Sequence, residues 1–378
     1  MSALLSPDQI AAIRKGLEDM ENASLALLGP CPPDLKESTI DIPLADGFVS
    51  RTILIRPVSS KQGGDERVAA AAPAATEKLP LVVFIHGGSF SYDSPRMLLS
   101  PARAFASHFR AIVACIAYKL APEHPFPAPA HSAWEATAWL AAPENLNSSS
   151  GVLKAEGLEF DPALGFVLAG ASAGANLAAA IAGVNSVVKK EEEDEGHHHD
   201  GDGDDEEQQL VRGLPPITSE VTGLFLAIPY LMEAEIVPAA YRPLFRSREA
   251  NANAPFINAR SLEEMASNYQ QDVRSPWFSP LNLDVGRMRA RGRRFPGRVY
   301  VQCGDLDIIR DDAVVYERAL RDAGLAETRI DVMPGYDHAC WCNLMFDQAH
   351  TPEMKERTMD GMGWLLGSQW DRARPLSH

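Results

Sequence analysis

Ser172 lies in the stretch "VLAGASAGANLAAAIAG", flanked by Gly170 and Gly174 in the pattern G-x-S-x-G. A buried-type run, Phe166 to Ala169, precedes it, and small helix-forming residues follow from about Ala175. That order suits a serine hydroxyl held up on a sharp strand-to-helix turn, where only small neighbours relieve the crowding. A Gly/Ala-rich junction without chemistry has the same composition, so the rest of the chain must supply what a nucleophile requires. A serine hydroxyl is nearly inert at its own pKa and needs a base within hydrogen-bond reach, plus donors for the anion that forms on attack.

The candidate anion site is "FIHGGSF", Phe84 to Phe90, in which an apolar run ends in Gly87 and Gly88. Bare glycine backbone lets N–H groups approach a substrate oxygen closely, whereas a plain Gly-Gly turn would leave the same trace. Gly87, Gly88 and Ala173, the residue after the serine, are the candidate donors. Of the ten histidines, His197, His198 and His199 lie in an acidic run, His378 is terminal and His86 belongs to the glycine loop. His108, His124, His131 and His350 occupy helical or proline-bounded contexts. That leaves His338, in "IDVMPGYDHACW", which follows a strand and a Pro-Gly turn and is the candidate base. The acid should lie just past a strand between Ser172 and His338, where "VYVQCGDLDIIRDD" offers Asp305, Asp307, Asp311 and Asp312. Asp305 and Asp307 sit in the loop itself, where a buried carboxylate could fix the imidazole tautomer, or merely cap the following helix.

These residues need a scaffold that brings strand ends together. "LPLVVFIHGG", "AIVACIAYKL", "LGFVLAGAS", "GLFLAIPY" and "GRVYVQCGD" are continuous apolar runs, the mark of strands covered on both faces in a parallel sheet. "HSAWEATAWLAA", "ANLAAAIAGV" and "AVVYERALRDAG" read as helices between them, so the expected fold is α/β, a mostly parallel doubly wound sheet with its site at the carboxyl ends of the strands. Ser6-Pro7-Asp8-Gln9 carries capping-box chemistry, and Ile10, Ile13, Leu17 and Met20 follow at helical spacing, predicting an amphipathic helix over 7–22. Residues 40–58 alternate around Asp46-Gly47 and read as a β-hairpin, and 59–78 as a surface loop. Residues 231–274 depart from strand-helix alternation and contain a helical "SLEEMASNYQQ". With the N-terminal segment they are expected to cover the active edge of the sheet.

At 378 residues the chain can bury a large core, as one enlarged α/β domain or two domains. Its net charge of -16 is concentrated in residues 191–207, which hold eleven carboxylates, so the remainder carries only about -5. That acidic run, within an expected loop over 186–213, has too little apolar surface to order itself, and its three histidines lack a neighbouring fixed geometry for a metal. The acidic balance argues against nucleic acid as a partner. Cys31, Cys115, Cys303, Cys340 and Cys342 show neither disulfide spacing nor a paired zinc pattern, which fits a reducing, cytoplasmic location. No secretory leader is evident, and no apolar run approaches the roughly 18 residues a membrane helix needs.

The blocks "HGGSF", "YKLAPEHPFPAP", "GASAGANLA", "GDLDIIRDD" and "GYDHACW", in this order over about residues 79–365, resemble the hormone-sensitive-lipase-like (family IV) carboxylesterases of the α/β-hydrolase fold. The resemblance implies Ser172 as nucleophile, Asp307 rather than Asp305 as the acid, His338 as base, and Gly87, Gly88 and Ala173 as oxyanion donors. It also implies an α-helical cap, here residues 1–40 and 231–274, over a catalytic domain of 41–230 and 275–378. The implied substrate is a small or short-chain ester, with no cofactor and no metal, and with a homodimer as a possible assembly. A pathway-specific deacetylase, a lyase or a cyclisation catalyst would use the same pocket, and a non-catalytic receptor the same fold. Ala171 stands in place of an acidic residue before the nucleophile and Ser89 in place of a third glycine. Ala339 and Cys340 replace a Gly-Phe pair and are expected to reshape the wall of the acyl pocket.

Overall fold

The continuous apolar runs become strands whose side chains point alternately into two cores. In a computed structural model describing residues 5–59, 76–148, 151–188, 208–290, 295–342 and 351–376, the chain forms ten strands among the described residues. They are β1 (Leu35–Pro43), β2 (Val49–Pro57), β3 (Glu77–Leu79), β4 (Leu81–Ile85), β5 (Ile112–Ile116), β6 (Leu158–Phe160), β7 (Phe166–Ala171), β8 (Gly223–Ala227), β9 (Arg298–Gly304) and β10 (Glu327–Met333). Eight build one sheet in the order β1-β2-β5-β4-β7-β8-β9-β10, in which β2 alone runs against its neighbours. Strands β3 and β6 form a separate short parallel pair.

The register shows why these runs do not alternate in polarity. Along β4, Leu81, Val83 and Ile85 join one apolar cluster, and Val82 and Phe84 join the other. In β7 the same split puts Phe166 and Leu168 on one side and Val167, Ala169 and Ala171 on the other. A strand in the middle of a covered sheet has no wet face, so period-two polarity vanishes. The first cluster is closed by α3 (Ala128–Ala141), α4 (Ala173–Val187) and α6 (Arg310–Ala323), through residues such as Trp134, Leu177 and Tyr316. The second is closed by α2 (Leu99–Phe109) and α7 (Thr351–Leu366), through Phe105 and Met362.

Two elements outside this sandwich matter for the site. Helix α1 (Pro7–Leu28) starts with the expected capping box, Gln9 N to Ser6 Oγ at 3.3 Å and Ser6 N to Gln9 Oε1 at 2.8 Å, and runs six residues further than its apolar spacing predicts. Between β8 and β9 the chain carries several short helical turns and α5 (Ala259–Tyr269), which opens on an Asn258 cap. This insertion is tied down by two adjacent carboxylates at the start of α6. Asp311 Oδ2 accepts from the N–H groups of Arg246 and Ser247 at 2.5 Å, and Asp312 Oδ2 from those of Leu231 and Met232 at 2.8 and 3.2 Å. Arg248 then pairs with Asp312 at 2.9 Å. Burial pushes the Asp312 carboxyl up to about 6 despite that arginine.

Several expected boundaries shift. Residues 35–40, expected in the N-terminal helical segment, begin β1, because the hairpin register runs from Leu35 opposite Pro57 to Pro43 opposite Val49. Glu77 and Lys78, expected as loop, pair with Leu79 as β3 against β6. At the margins of the acidic loop, Ser186 and Val187 are buried at the end of α4, and Leu210 packs against the first core and accepts from Trp277 Nε1. The acidic run itself, with His197, His198 and His199, lies outside the described residues. Cys31, Cys115, Cys303 and Cys340 are free thiols. Among the described residues no helix is long and apolar enough to cross a membrane.

Breaking a buried ion pair leaves an uncompensated charge, so Asp312→Ala is expected to destabilise the fold by about 3 kcal/mol. Urea unfolding checks this, and the paired change Asp312→Leu with Arg248→Met is expected to recover only part of the loss, because the N–H groups of Leu231 and Met232 remain without their acceptor.

Candidate active site

Ser172 sits between β7 and α4 with φ +54° and ψ -118°, in a region of backbone space that L-residues rarely occupy. The turn is possible because both flanking positions lack a side chain. A Cβ at Gly170 would collide with the Gly174 carbonyl, and one at Gly174 with the carbonyls of Ile85 and His86 at the end of β4. The turn is anchored by Ser172 N–H, which donates to Ala227 O of β8 at 2.9 Å. That bond occupies the serine's own amide and leaves the next one, at Ala173, as the first open donor of α4.

The structure brings together Ser172, His338 and Asp307 from three separate strand ends. His338 Nε2 lies 2.9 Å from Ser172 Oγ, and His338 Nδ1 lies 2.7 Å from Asp307 Oδ2. The other Asp307 oxygen accepts from Ile309 N–H at 3.0 Å. Asp307 and His338 are essentially closed to solvent and Ser172 is 6% exposed. Asp305 does not enter this chain of bonds. Its Oδ1 accepts from Gly335 N–H at 2.7 Å, which fixes the turn that carries His338. Neither aspartate side chain caps α6, whose N-cap position is Ile309. Asn251 of the insertion donates to the carbonyls of Asp305 and Asp307, at 3.1 and 2.9 Å, so the acid loop is gripped from above as well.

Gly87 and Gly88 lie directly beside this serine: a Cβ on Gly87 would be 3.0 Å from Ala171 O and 3.3 Å from Ser172 Cβ. Their N–H groups, with that of Ala173, meet no acceptor among the described residues. The loop is held by Tyr118, whose hydroxyl donates to His86 O at 3.1 Å and to Gly87 O at 3.0 Å, while its ring stacks on His86 at 4.4 Å. Burial drives the His86 imidazole down to about 4, so it stays neutral and its Nδ1–H can donate to Gly87 O at 2.9 Å. Ser89, which stands where the motif usually has glycine, adopts φ +52° and keeps the loop's path at the expense of a left-handed serine.

Over Ser172 lies a cleft of about 300 Å³. Ile13, Leu17 and Met20 of α1 form one wall, and Met265 of α5 with Phe256 another. The Phe256 ring is nearly parallel to that of His338, at 6.4 Å. Arg14 pins α1 to the loops below by donating to Ser91 O and Ala121 O, both at 3.0 Å, and by pairing with Glu123 at 2.7 Å. On the other side Tyr269 stacks on Phe90 at 3.7 Å and accepts from Phe126 N–H at 2.8 Å through its carbonyl.

Two expected wall residues are elsewhere. Ala339 and Cys340 open the short helix Ala339–Cys342, and Cys340 with Trp341 packs against the second core near Phe84 and Phe225 instead of facing the cleft. Leu231 is wholly buried in the first core. Residues that the motif analysis did not assign are Tyr118, Arg14 and Asn251, each acting through backbone carbonyls. Only Tyr118 carried a signal, as the first residue of "YKLAPEHPFPAP".

Comparison with known proteins agrees with this geometry. A model of the alpha/beta hydrolase fold matches residues 82–342. The chain is 26% identical over 366 residues to the versiconal hemiacetal acetate esterase of Dothistroma septosporum, covering 96% of this chain and 89% of that one. It is 25% identical over 340 residues to the esterase LipI of Mycobacterium tuberculosis, covering 87% and 82% respectively. Among solved structures it is similar in fold to vibralactone cyclase, with a TM-score of 0.70 at 22% identity over 97% of this chain and 91% of that one.

Misplacing the glycine loop by a fraction of an ångström weakens donors that must meet an oxyanion. Tyr118→Phe is therefore expected to lower kcat roughly 10- to 100-fold with a smaller change in KM, measured by steady-state kinetics on a soluble ester. With the site, the topology and the matched family model agreeing, the chain belongs to the α/β-hydrolase-fold family, in its hormone-sensitive-lipase-like branch.

Proposed function

We propose that this enzyme is a serine carboxylester hydrolase acting on small or short-chain esters. The observation that carries the reading is the buried, hydrogen-bonded series Ser172–His338–Asp307 opening into a cleft beside three unengaged backbone N–H groups. In the first half-reaction Ser172 Oγ attacks the ester carbonyl carbon while its proton passes to His338 Nε2. The carbonyl oxygen becomes an oxyanion facing the N–H groups of Gly87, Gly88 and Ala173. Collapse breaks the bond to the alcohol, which leaves with the proton from His338, and an acyl-Ser172 ester remains. A water then gives its proton to His338 and attacks the acyl carbon, and the acid departs as the proton returns to Ser172. Asp307 accepts the Nδ1–H throughout, keeping Nε2 directed at the serine and stabilising the imidazolium.

We read α1 and the 231–274 insertion as the cap of this site, since both line the cleft and both are tied to the catalytic loops by named bonds. A volume of about 300 Å³ is at the small end for ligand sites, which favours a modest acyl or alcohol group over a long lipid chain. A second reading, removal of an acetyl group from a larger alcohol, is favoured by the relative whose name is an acetate esterase and which matches 96% of this chain. A receptor would have no use for an imidazole nitrogen 2.9 Å from the serine oxygen with a carboxylate behind it.

The test is hydrolysis of p-nitrophenyl esters from acetate to laurate. Activity is expected to be greatest at the short chains, and Ser172→Ala is expected to lose about 10⁵-fold or more of the turnover, because the three residues act as a unit. Wild-type turnover no greater than that of the variant would overturn the reading.

A further inference from the structure

The cleft over Ser172 contains a carboxyl group that hydrolysis as described does not use. Asp93 lines it, on the turn after the glycine loop, and makes no hydrogen bond or ion pair among the described residues. The other acidic side chains on the cleft are engaged: Glu21 accepts from Ser94 Oγ at 2.8 Å and lies 3.4 Å from Arg96, and Glu264 accepts from Arg260 at 2.8 Å. Burial, and then the charge of Glu21, pushes the Asp93 carboxyl up to about 6.

The backbone is shaped to hold it there. Asp93 has φ +64°, a left-handed conformation that Asp and Asn tolerate better than most residues. Its Oδ2 lies 2.9 Å from where a Cβ on Gly88 would sit, so the missing side chain at Gly88, itself at φ +95°, gives the carboxyl its place beside the glycine loop. Asp93 is half-buried. A carboxyl so placed normally has a partner, because an acceptor that loses water without replacement costs free energy. An unpaired carboxyl on the wall of the cleft calls for a ligand that brings the donor.

We propose that Asp93 forms a polar subsite that receives a hydroxyl or ammonium group of the substrate, so that the preferred ester is hydroxylated or amino-substituted instead of plain alkyl. The proposal rests on the hydrolase reading and specifies its substrate class. The carboxyl accepts either donor. An ammonium group adds charge attraction to an ionised Asp93, whereas a hydroxyl requires only an acceptor.

The experiment compares kcat/KM for ethyl butyrate, 2-hydroxyethyl butyrate, 2-(dimethylamino)ethyl butyrate and ethyl 3-hydroxybutyrate, followed by titration of the released acid. The enzymes are wild type, Asp93→Asn, Asp93→Gly and Ser172→Ala; asparagine and glycine both suit the left-handed backbone. Wild type is expected to favour at least one donor-bearing ester over ethyl butyrate by about 10-fold or more. An ammonium preference should collapse in both Asp93 variants. A hydroxyl preference should survive in part in Asp93→Asn, whose amide oxygen still accepts, and collapse in Asp93→Gly. Equal rates on all four esters in wild type, or a preference unchanged in both variants, would overturn the subsite while leaving the hydrolase reading intact. No ester turned over faster by wild type than by Ser172→Ala would overturn the hydrolase reading first. If neither variant melts cooperatively, the wild-type ratios alone decide, since equal rates there already contradict the subsite.

Discussion

A positive-φ serine between two glycines is the constraint from which the rest of this structure follows. At Ser172 the chain passes from the central strand β7 into α4 within one residue, and the resulting backbone strain, of order 1–3 kcal/mol, persists only because neighbours hold it on every side. Ala227 of β8 accepts the serine N–H, and the carbonyls of Ile85 and His86 close on Gly174. Strands β4, β7 and β8 therefore have to be adjacent and parallel, with their carboxyl ends level, for the hydroxyl to stand clear. The same arrangement delivers the glycine loop from β4, the acid from β9 and the histidine from the segment after β10.

Around that turn, rigidity comes from bonds to backbone more than from bonds between side chains. Tyr118 holds the glycine loop through two carbonyls, Asn251 holds the acid loop through two more, and Asp311 and Asp312 hold the insertion through four N–H groups. Such groups are obligatory hydrogen-bond partners when buried, so capturing them fixes loop paths with little dependence on neighbouring side-chain choice. The elements over the cleft are joined to the catalytic loops in the same manner, Arg14 to two carbonyls and Phe126 N–H to Tyr269 O. What binds in the cleft thus meets walls that are mechanically continuous with the groups that act on it.

The sheet was legible because burial on both faces leaves a plain mark: "LVVFI", "IVACI" and "FVLAGA" have no polar position to mislead a reader. Ser172, Gly87 and Gly88 were legible as candidates because a tight turn and a close backbone approach demand particular small residues, and His338 because it follows a strand and a Pro-Gly turn; the structure brings Gly87 and His338 beside Ser172. Asp305 and Asp307 were not separable from local sequence, since both sit in one loop and differ only in which way each points; one reaches the histidine and the other supports the turn beneath it. The far end of α1 was missed although Leu25 and Leu28 continue its apolar face onto the second core, and the start of β1 because polar residues, Lys36 to Thr39, follow Leu35. Contacts such as Arg14 to Ala121 O join positions over a hundred residues apart and leave no local pattern at all. The expectation that Cys340 would help to wall the pocket failed because the short helix after His338 turns it toward the second core.

The most direct test of the central claim, that His338 activates Ser172 for attack on an ester-like centre, is covalent trapping with diethyl p-nitrophenyl phosphate. The account predicts release of one p-nitrophenolate per chain and a single diethylphosphoryl group, located by peptide mass spectrometry on Ser172, with trapping abolished or greatly slowed in His338→Ala. Modification at another residue, no modification of folded protein, or trapping at an unchanged rate in the His338 variant would contradict it.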